Sequence, residues 1–370
     1  MSHARCPLQV VGVAAVIAAM GLLCAPVARG QARIPDEIKA RTARLSEADV
    51  KLVAGYVANR LKELESADNA IQRAAREALI VDAQGTPEYQ DEFVRAIADG
   101  MRPGPGLLNH ASLRVRLNAA IVVQGVAGHT RSARLEPAVQ RLVATDQPEV
   151  IRLWGVRAAK WVIDGAASVN SPSQLLRPVM AAVGPNPLGA IVEEAYDAFI
   201  VDAEGVRPTW PPANSVPFLL ELFEARVKLL ASRGLPDPEI ETGNPSFGLY
   251  MTRSAVWNSL TKPQQLQVAQ LFNDYFSLMS ARFAQAQTKT GIVEAMKFNA
   301  RCIVVLGQTL RQEALVLAAQ RLNTLQESTP VDVVDQAVKA LLKELKAAPD
   351  FRQLKDPPTI ADRQSAAPGT

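Results

Sequence analysis

The sequence predicts an all-α protein: a stack of helix pairs, with a C-terminal helical half that either continues the stack or forms a bundle. Three observations carry this. Apolar residues make up 48% of the 370 and aromatic residues only 5%, so close packing falls to Ala, Leu and Val, which suits helix against helix. The β-branched runs, such as Ile121-Val122-Val123, sit inside segments of helical period and leave no convincing strand. A pattern that begins at Asp146 returns at intervals of 36 to 44 residues, the length of one stacked helix pair.

Residues 1–32 read as a signal peptide. No charge occurs from Cys6 to Ala28, Arg5 and Arg29 flank the run, and the apolar centre spans Val10 to Cys24. Small residues permit cleavage after Gly30 or Ala32. The alternative is an uncleaved anchor, since the uncharged run is just long enough to cross a bilayer. A lipoprotein reading at Cys24 is disfavoured by the bulky Leu23 before it. The expected compartment is therefore secreted or periplasmic, with membrane attachment only if the leader is retained.

Without residues 1–32 the chain carries 38 basic and 37 acidic side chains. Such a balance offers no general attraction to nucleic acid or to anionic lipid. Only Cys302 remains of the three cysteines, inside "ARCIVVLG", where it reads as a buried small hydrophobe. An exported chain with one thiol has no internal disulfide and depends on core packing.

Helix starts follow in order. Ser46 with Asp49 forms a capping box ahead of Val50, Val53, Val57, Leu61 and Leu64. Thr86-Pro87 opens the segment carrying Phe93, Val94 and Ile97; Thr261 with Pro263 opens the stretch to Gln287; Thr329-Pro330 opens the last helix. Turn clusters such as "RPGPG", "VGPNP" and "GLPDPEIETGNP" separate them.

The repeat itself is Asp146-Gln147-Pro148-Glu149-Val150-Ile151-Arg152, followed by Gly155, Ala158 and Ala159. Ile151, Trp154, Gly155, Ala158 and Val162 share a face on which small residues admit a neighbouring helix, while Arg157 and Lys160 point away. Val115-Arg116 and Ala119 repeat it upstream, Ile191, Ala195 and Ala198 downstream, and Ile71 with Ala75 give a looser version. A shift of 182 residues lays Ile121, Gly125 and Pro148 on Ile303, Gly307 and Pro330, an echo of the first half in the second. On "DQPEVIR…A" and "VRLNAA" the chain resembles the HEAT/armadillo α-solenoids, best over residues 109–202. The resemblance implies that Asp146, Arg116 and Arg152 link neighbouring repeats, and that the protein holds a partner along a helical surface.

The expected domains are a repeat domain over 45–203, a Pro-rich connector at 204–217, a C-terminal helical domain over 218–348 and a disordered tail from 349 to 370.

Ser259-Leu260-Thr261-Lys262, Lys289-Thr290-Gly291 and Ser168-Val169-Asn170 match the three elements of a penicillin-binding site, but the third precedes the first and no strand carries Lys-Thr-Gly. Outside the leader only His110 and His129 are histidines, so no metal-ligand spacing exists and neither a metal nor a cofactor is expected. Tyr275, Phe276, Met279 and Phe283 form a core stripe. Two binding candidates remain: a basic stripe of Arg114, Arg157 and Lys160, set against its reading as a solvated helix face, and Trp210 among prolines, a contact residue or a plug between halves. The expectation is a non-catalytic scaffold for a protein partner, with no nucleic acid bound. The alternatives are an envelope-polymer hydrolase or lyase using Glu193, Glu194 and Asp197, or a membrane-tethered structural protein.

Overall fold

The computed structural model describes residues 33–102, 106–167, 174–184, 189–200, 212–232, 244–358 and 360. Every regular element among them is helical. A short α1 (Asp36–Lys39) leads to α2 (Glu47–Glu63), α3 (Asn69–Val81), α4 (Pro87–Gly100) and α5 (Leu113–Thr130). Then come α6 (Glu136–Leu142), α7 (Glu149–Ala167), α8 (Leu176–Val183), α9 (Gly189–Phe199), α10 (Pro212–Ser232) and α11 (Asn244–Thr252). The chain continues with α12 (Ser254–Ser259), α13 (Lys262–Gln285), α14 (Thr290–Leu310), α15 (Glu313–Leu322) and α16 (Val331–Ala347).

The helix starts have identifiable causes. Ser46 and Asp49 form the capping box, each side chain satisfying a backbone N–H that the first turn leaves orphaned. Thr261 and Gln264 do the same for α13. Thr86 precedes a helix with Pro at its first position, but its hydroxyl donates to the Arg41 carbonyl at 2.6 Å and so ties α4 to the first loop. Pro330 rather than Thr329 stands at the start of α16; the Thr329 hydroxyl accepts from the Gln326 N–H at 2.8 Å.

The helices pack in two layers. In one, α3 packs on α5, α5 on α7, α7 on α9, α9 on α11 and α11 on α14. In the other, α2 packs on α4 and α4 on the turn Ala133–Leu135 that leads into α6; further along, α8 packs on α10, α10 on α13 and α13 on α16. These contacts step two places along the chain as far as α11, as a stack of helix pairs requires, and three places after it: α10 to α13, α11 to α14 and α13 to α16. The two alternatives for the second half both hold in part. The stack runs on through α13 and α14, and then α13, α14, α15 and α16 close a ring of four packed neighbours. The helix starts Glu149 of α7 and Val331 of α16 lie 182 residues apart, in the register of the sequence echo; α5 and α14 both end on an arginine in the left-handed region, Arg131 at φ 49° and Arg311 at φ 57°, two residues off that register.

One continuous set of buried apolar side chains extends from Ile34 to Leu354. Its character changes along the way. In the first half Ala75, Ala119, Ala120, Ala127, Ala158 and Ala159 are fully buried and let helices approach closely. In the second half rings fill the gap: Phe223 meets Phe247, Phe272 and Tyr275 with centroids 4.5, 5.9 and 5.8 Å apart. The boundary expected at 204–217 does not interrupt this core. Phe199 stacks on Phe218 at 5.5 Å and Tyr196 reaches Phe247 at 6.0 Å across it. Helix α10 begins at Pro212, so residues 212–217 belong to the second half; residues 201–211 lie outside the described residues.

The expectation of a disordered tail is corrected for its first ten residues. Pro349–Phe351 forms a 3-10 turn, and fully buried Phe351 lies edge-on to Trp257 at 6.0 Å. The Lys355 N–H donates to Gln270 at 2.7 Å, and its carbonyl accepts from Gln270 and Asn273, both at 3.2 Å. Two anchors, Phe351 and Leu354, suffice for docking without the periodic face that a helix displays. Residues 361–370 lie outside the described residues, as does the leader, 1–32.

Candidate binding surface

Helix α7 carries the proposed basic stripe, and its geometry decides what that stripe can do. Ile151, Gly155, Ala158 and Val162 are buried as expected, but so are Val156, Ala159 and Ile163, because α7 has neighbours on several sides. Arg157 and Lys160 emerge between these faces and meet α9. Arg157 Nε donates to Glu194 at 2.7 Å, and Lys160 Nζ pairs with Asp197 at 3.1 Å. Trp154 and Trp161 lie beneath the two cations, Arg157 5.0 Å from one ring centroid and Lys160 5.5 Å from the other. The two cations of the stripe on α7 are therefore paired with carboxylates of the neighbouring helix. The same pairing neutralises Glu194 and Asp197, two of the three carboxylates on which a hydrolytic reading relied.

Arg114 does equivalent work one repeat earlier. Its guanidinium donates to the Asn69 side chain and reaches the Ser66 and Ala67 carbonyls at 3.4 and 3.3 Å. The link spans 45 residues, whereas Arg157 and Lys160 each span 37. Others share this step: Arg76 to Asn118 at 42, Arg134 to Asp91 at 43, Arg177 to Glu221 at 44 and Gln267 to Glu224 at 43. A ladder of polar links, one helix pair apart, thus runs along the stack. Arg116 and Arg152 join neighbours too, to Gln147 at 3.3 Å and the Ala182 carbonyl at 2.7 Å, while Asp146 pairs locally with Arg141 at 2.6 Å. The Arg141 hydrogen bond holds the Asp146 carboxyl below its usual range. A signal for the ladder exists in the sequence: moving Arg157 and Lys160 by 37 residues lands on Glu194 and Asp197. Trp210 lies outside the described residues.

The penicillin-binding motif falls apart in space. Ser259 closes α12 with its hydroxyl donating to the Val256 carbonyl at 2.6 Å, Lys262 pairs with Asp350 at 3.0 Å, and Thr290-Gly291 begins a helix. Ser168 to Asn170 lie outside the described residues. Cys302 is fully buried, and burial pushes its thiol up to about 12, away from nucleophilic use. Tyr275, Phe276, Met279 and Phe283 are all core.

A feature that sequence reasoning missed lies at the other end. Arg33, Pro35, Leu52, Tyr56, Asn59, Arg60, Lys62 and Glu63 line a groove of about 500 Å³ along α2. Beneath it, Asp82 accepts from Lys39 at 2.5 Å and from the Tyr56 hydroxyl, and Tyr89 donates to the Asp82 carbonyl at 2.6 Å. Burial, with the Asp82 hydrogen bond, pushes the Tyr56 hydroxyl up to about 12. The floor of the groove is thus fixed to α1, α3 and α4. Arg60 is buried, pairs with Glu63 at 2.8 Å and lies 5.2 Å from the Tyr56 ring centroid.

Compared with protein-family models and with curated proteins, the chain matches none. The class that fold and surface define is an all-α protein of packed, layered helices.

Proposed function

We propose that the chain is a non-catalytic scaffold of the HEAT/armadillo kind, exported by its leader, whose stacked helices hold another protein. The observation that carries this reading is the ladder of links one helix pair apart, joined to a core that continues from the first helices to the last. Regular stacking yields a long surface of small, similar units, which suits an extended protein partner. In this reading Arg114, Arg157 and Lys160 serve the scaffold by holding repeats together, and the partner is met elsewhere. In-cell cross-linking of the full chain, followed by pull-down, tests it. The reading predicts a reproducible protein partner; recovery of cell-wall polymer or a small molecule instead contradicts it. The mass of the mature N-terminus tests export. A start at Gln31 or Arg33 supports it, and an intact leader favours a tethered protein.

A further inference from the structure

We propose that the groove along α2 receives an acidic, amphipathic helix of a partner protein. The proposal rests on the protein-binding reading and gives it a place and a partner chemistry. Three observations meet on the outer side of α2, where Gly55 stands one turn from the groove-lining Leu52 and Asn59.

The first is position. Helix α2 opens its layer, packing on α3 and α4. Its outer side carries Leu52, 43% exposed, together with exposed Ala54, Gly55 and Ala58. Elsewhere in the chain, faces of this composition are the ones that neighbouring helices cover. Ala119, Gly155 and Ala158 are examples.

The second is Gly55. A glycine inside a helix destabilises it relative to alanine, so it is kept where something comes close. Most helical glycines of the described residues meet that condition inside the molecule: a Cβ on Gly125 would lie 2.7 Å from Ile80, on Gly155 2.8 Å from Leu142 and on Gly307 2.8 Å from Val316. A Cβ on Gly55, in mid-helix, would meet nothing within 4 Å; Gly291, the other helical glycine so placed among the described residues, sits in the first turn of α14. The flat spot it makes fits the close approach of a helix from outside.

The third is charge. The groove wall holds three cations, Arg33, Arg60 and Lys62, against one carboxylate, Glu63, which Arg60 already occupies. Arg33 and Lys62 are exposed and make no ion pair with a described residue. An apolar side chain of the visitor would lie against Leu52, Pro35 and the Tyr56 ring, with its carboxylates at Arg33 and Lys62. This is the helix-in-groove mode with an electrostatic rim.

The test uses the full chain and two synthetic 14-residue helical peptides with identical apolar positions, one with Glu and one with Lys at the polar positions, followed by fluorescence anisotropy. The Glu peptide should bind at least tenfold more tightly than the Lys peptide and lose affinity as salt rises. Gly55→Gln should raise the melting temperature, because it removes a helix glycine, yet weaken the Glu peptide at least tenfold. Lys62→Glu should weaken it several-fold. Equal binding of the two peptides, or binding indifferent to Gly55→Gln, overturns the proposal. So does self-association in sedimentation that Gly55→Gln abolishes, which would make a second copy the occupant. If the cross-linked partner forms equally with the Gly55→Gln chain and no peptide binds, the groove falls while the protein-binding reading stands. If the peptide behaves as expected but no protein is captured in cells, the groove stands and the scaffold reading loses its support.

Discussion

At the scale of single residues, what Arg157 and Asp274 face decides what each contributes. Arg157 and Glu194 are each about two-thirds or more buried, so their pair is worth about 1 kcal/mol, more than a fully exposed one. Arg157→Glu sets two carboxylates together and should cost about 1–2 kcal/mol in denaturant unfolding; adding Glu194→Arg should recover most of it. If Arg157→Glu leaves stability unchanged, the ladder does not exist there. Asp274, half-buried, has its carboxyl raised by burial, despite hydrogen bonds from Gln270 and Asn273. A raised folded value means that Asp274 contributes most when protonated, and that the contribution is lost as pH rises through that value. Asp274→Asn should therefore raise the melting temperature at neutral pH, and the gain should vanish towards pH 4. Residue types were legible in the sequence; the partners of the cations become legible only once the 37-residue step is known. Helical periodicity gives the direction in which Arg157 leaves its own helix, but it does not say that a second helix stands there.

At the scale of helices, the two glycines Gly55 and Gly155 are a controlled pair. Both sit inside helices, where exchange for alanine favours the helix by about 0.5–1 kcal/mol. At Gly155 the new Cβ would lie 2.8 Å from Leu142 Cβ and 2.9 Å from the Leu142 backbone, so Gly155→Ala should destabilise by about 1–3 kcal/mol. Gly55→Ala has open space and should stabilise. Thermal melts of the two variants should move in opposite directions. Helix starts were the most legible features of the sequence, because capping is local chemistry: Ser46 with Asp49 and Thr261 with Gln264 satisfy their own first turns. The docked tail was illegible for the opposite reason. Phe351 meets Trp257 of α12 and the Lys355 backbone bonds Gln270 and Asn273 of α13, contacts about 80 to 95 residues distant in sequence, and no periodicity announces such isolated anchors. Phe351→Ala should cost about 3 kcal/mol, the usual loss for a buried ring, and a stability that resists it would mean the tail is not docked.

At the scale of the whole molecule, the sequence places a boundary where the prolines lie, and the packing passes across it. A Pro-rich stretch reports local backbone restriction; it carries no information on whether Phe199 and Phe218 stack over it. The core that results is continuous from Ile34 to Leu354, so the two halves should not unfold as independent units. Tryptophans report each side: Trp154 and Trp161 lie in α7, and Trp257 lies in α12. Equilibrium unfolding in urea, followed by fluorescence of one chain that keeps only Trp161 and another that keeps only Trp257, tests the continuous stack directly. The account predicts one midpoint and one slope shared by both probes. Two separated transitions, with the first half outlasting the second or the reverse, would contradict it.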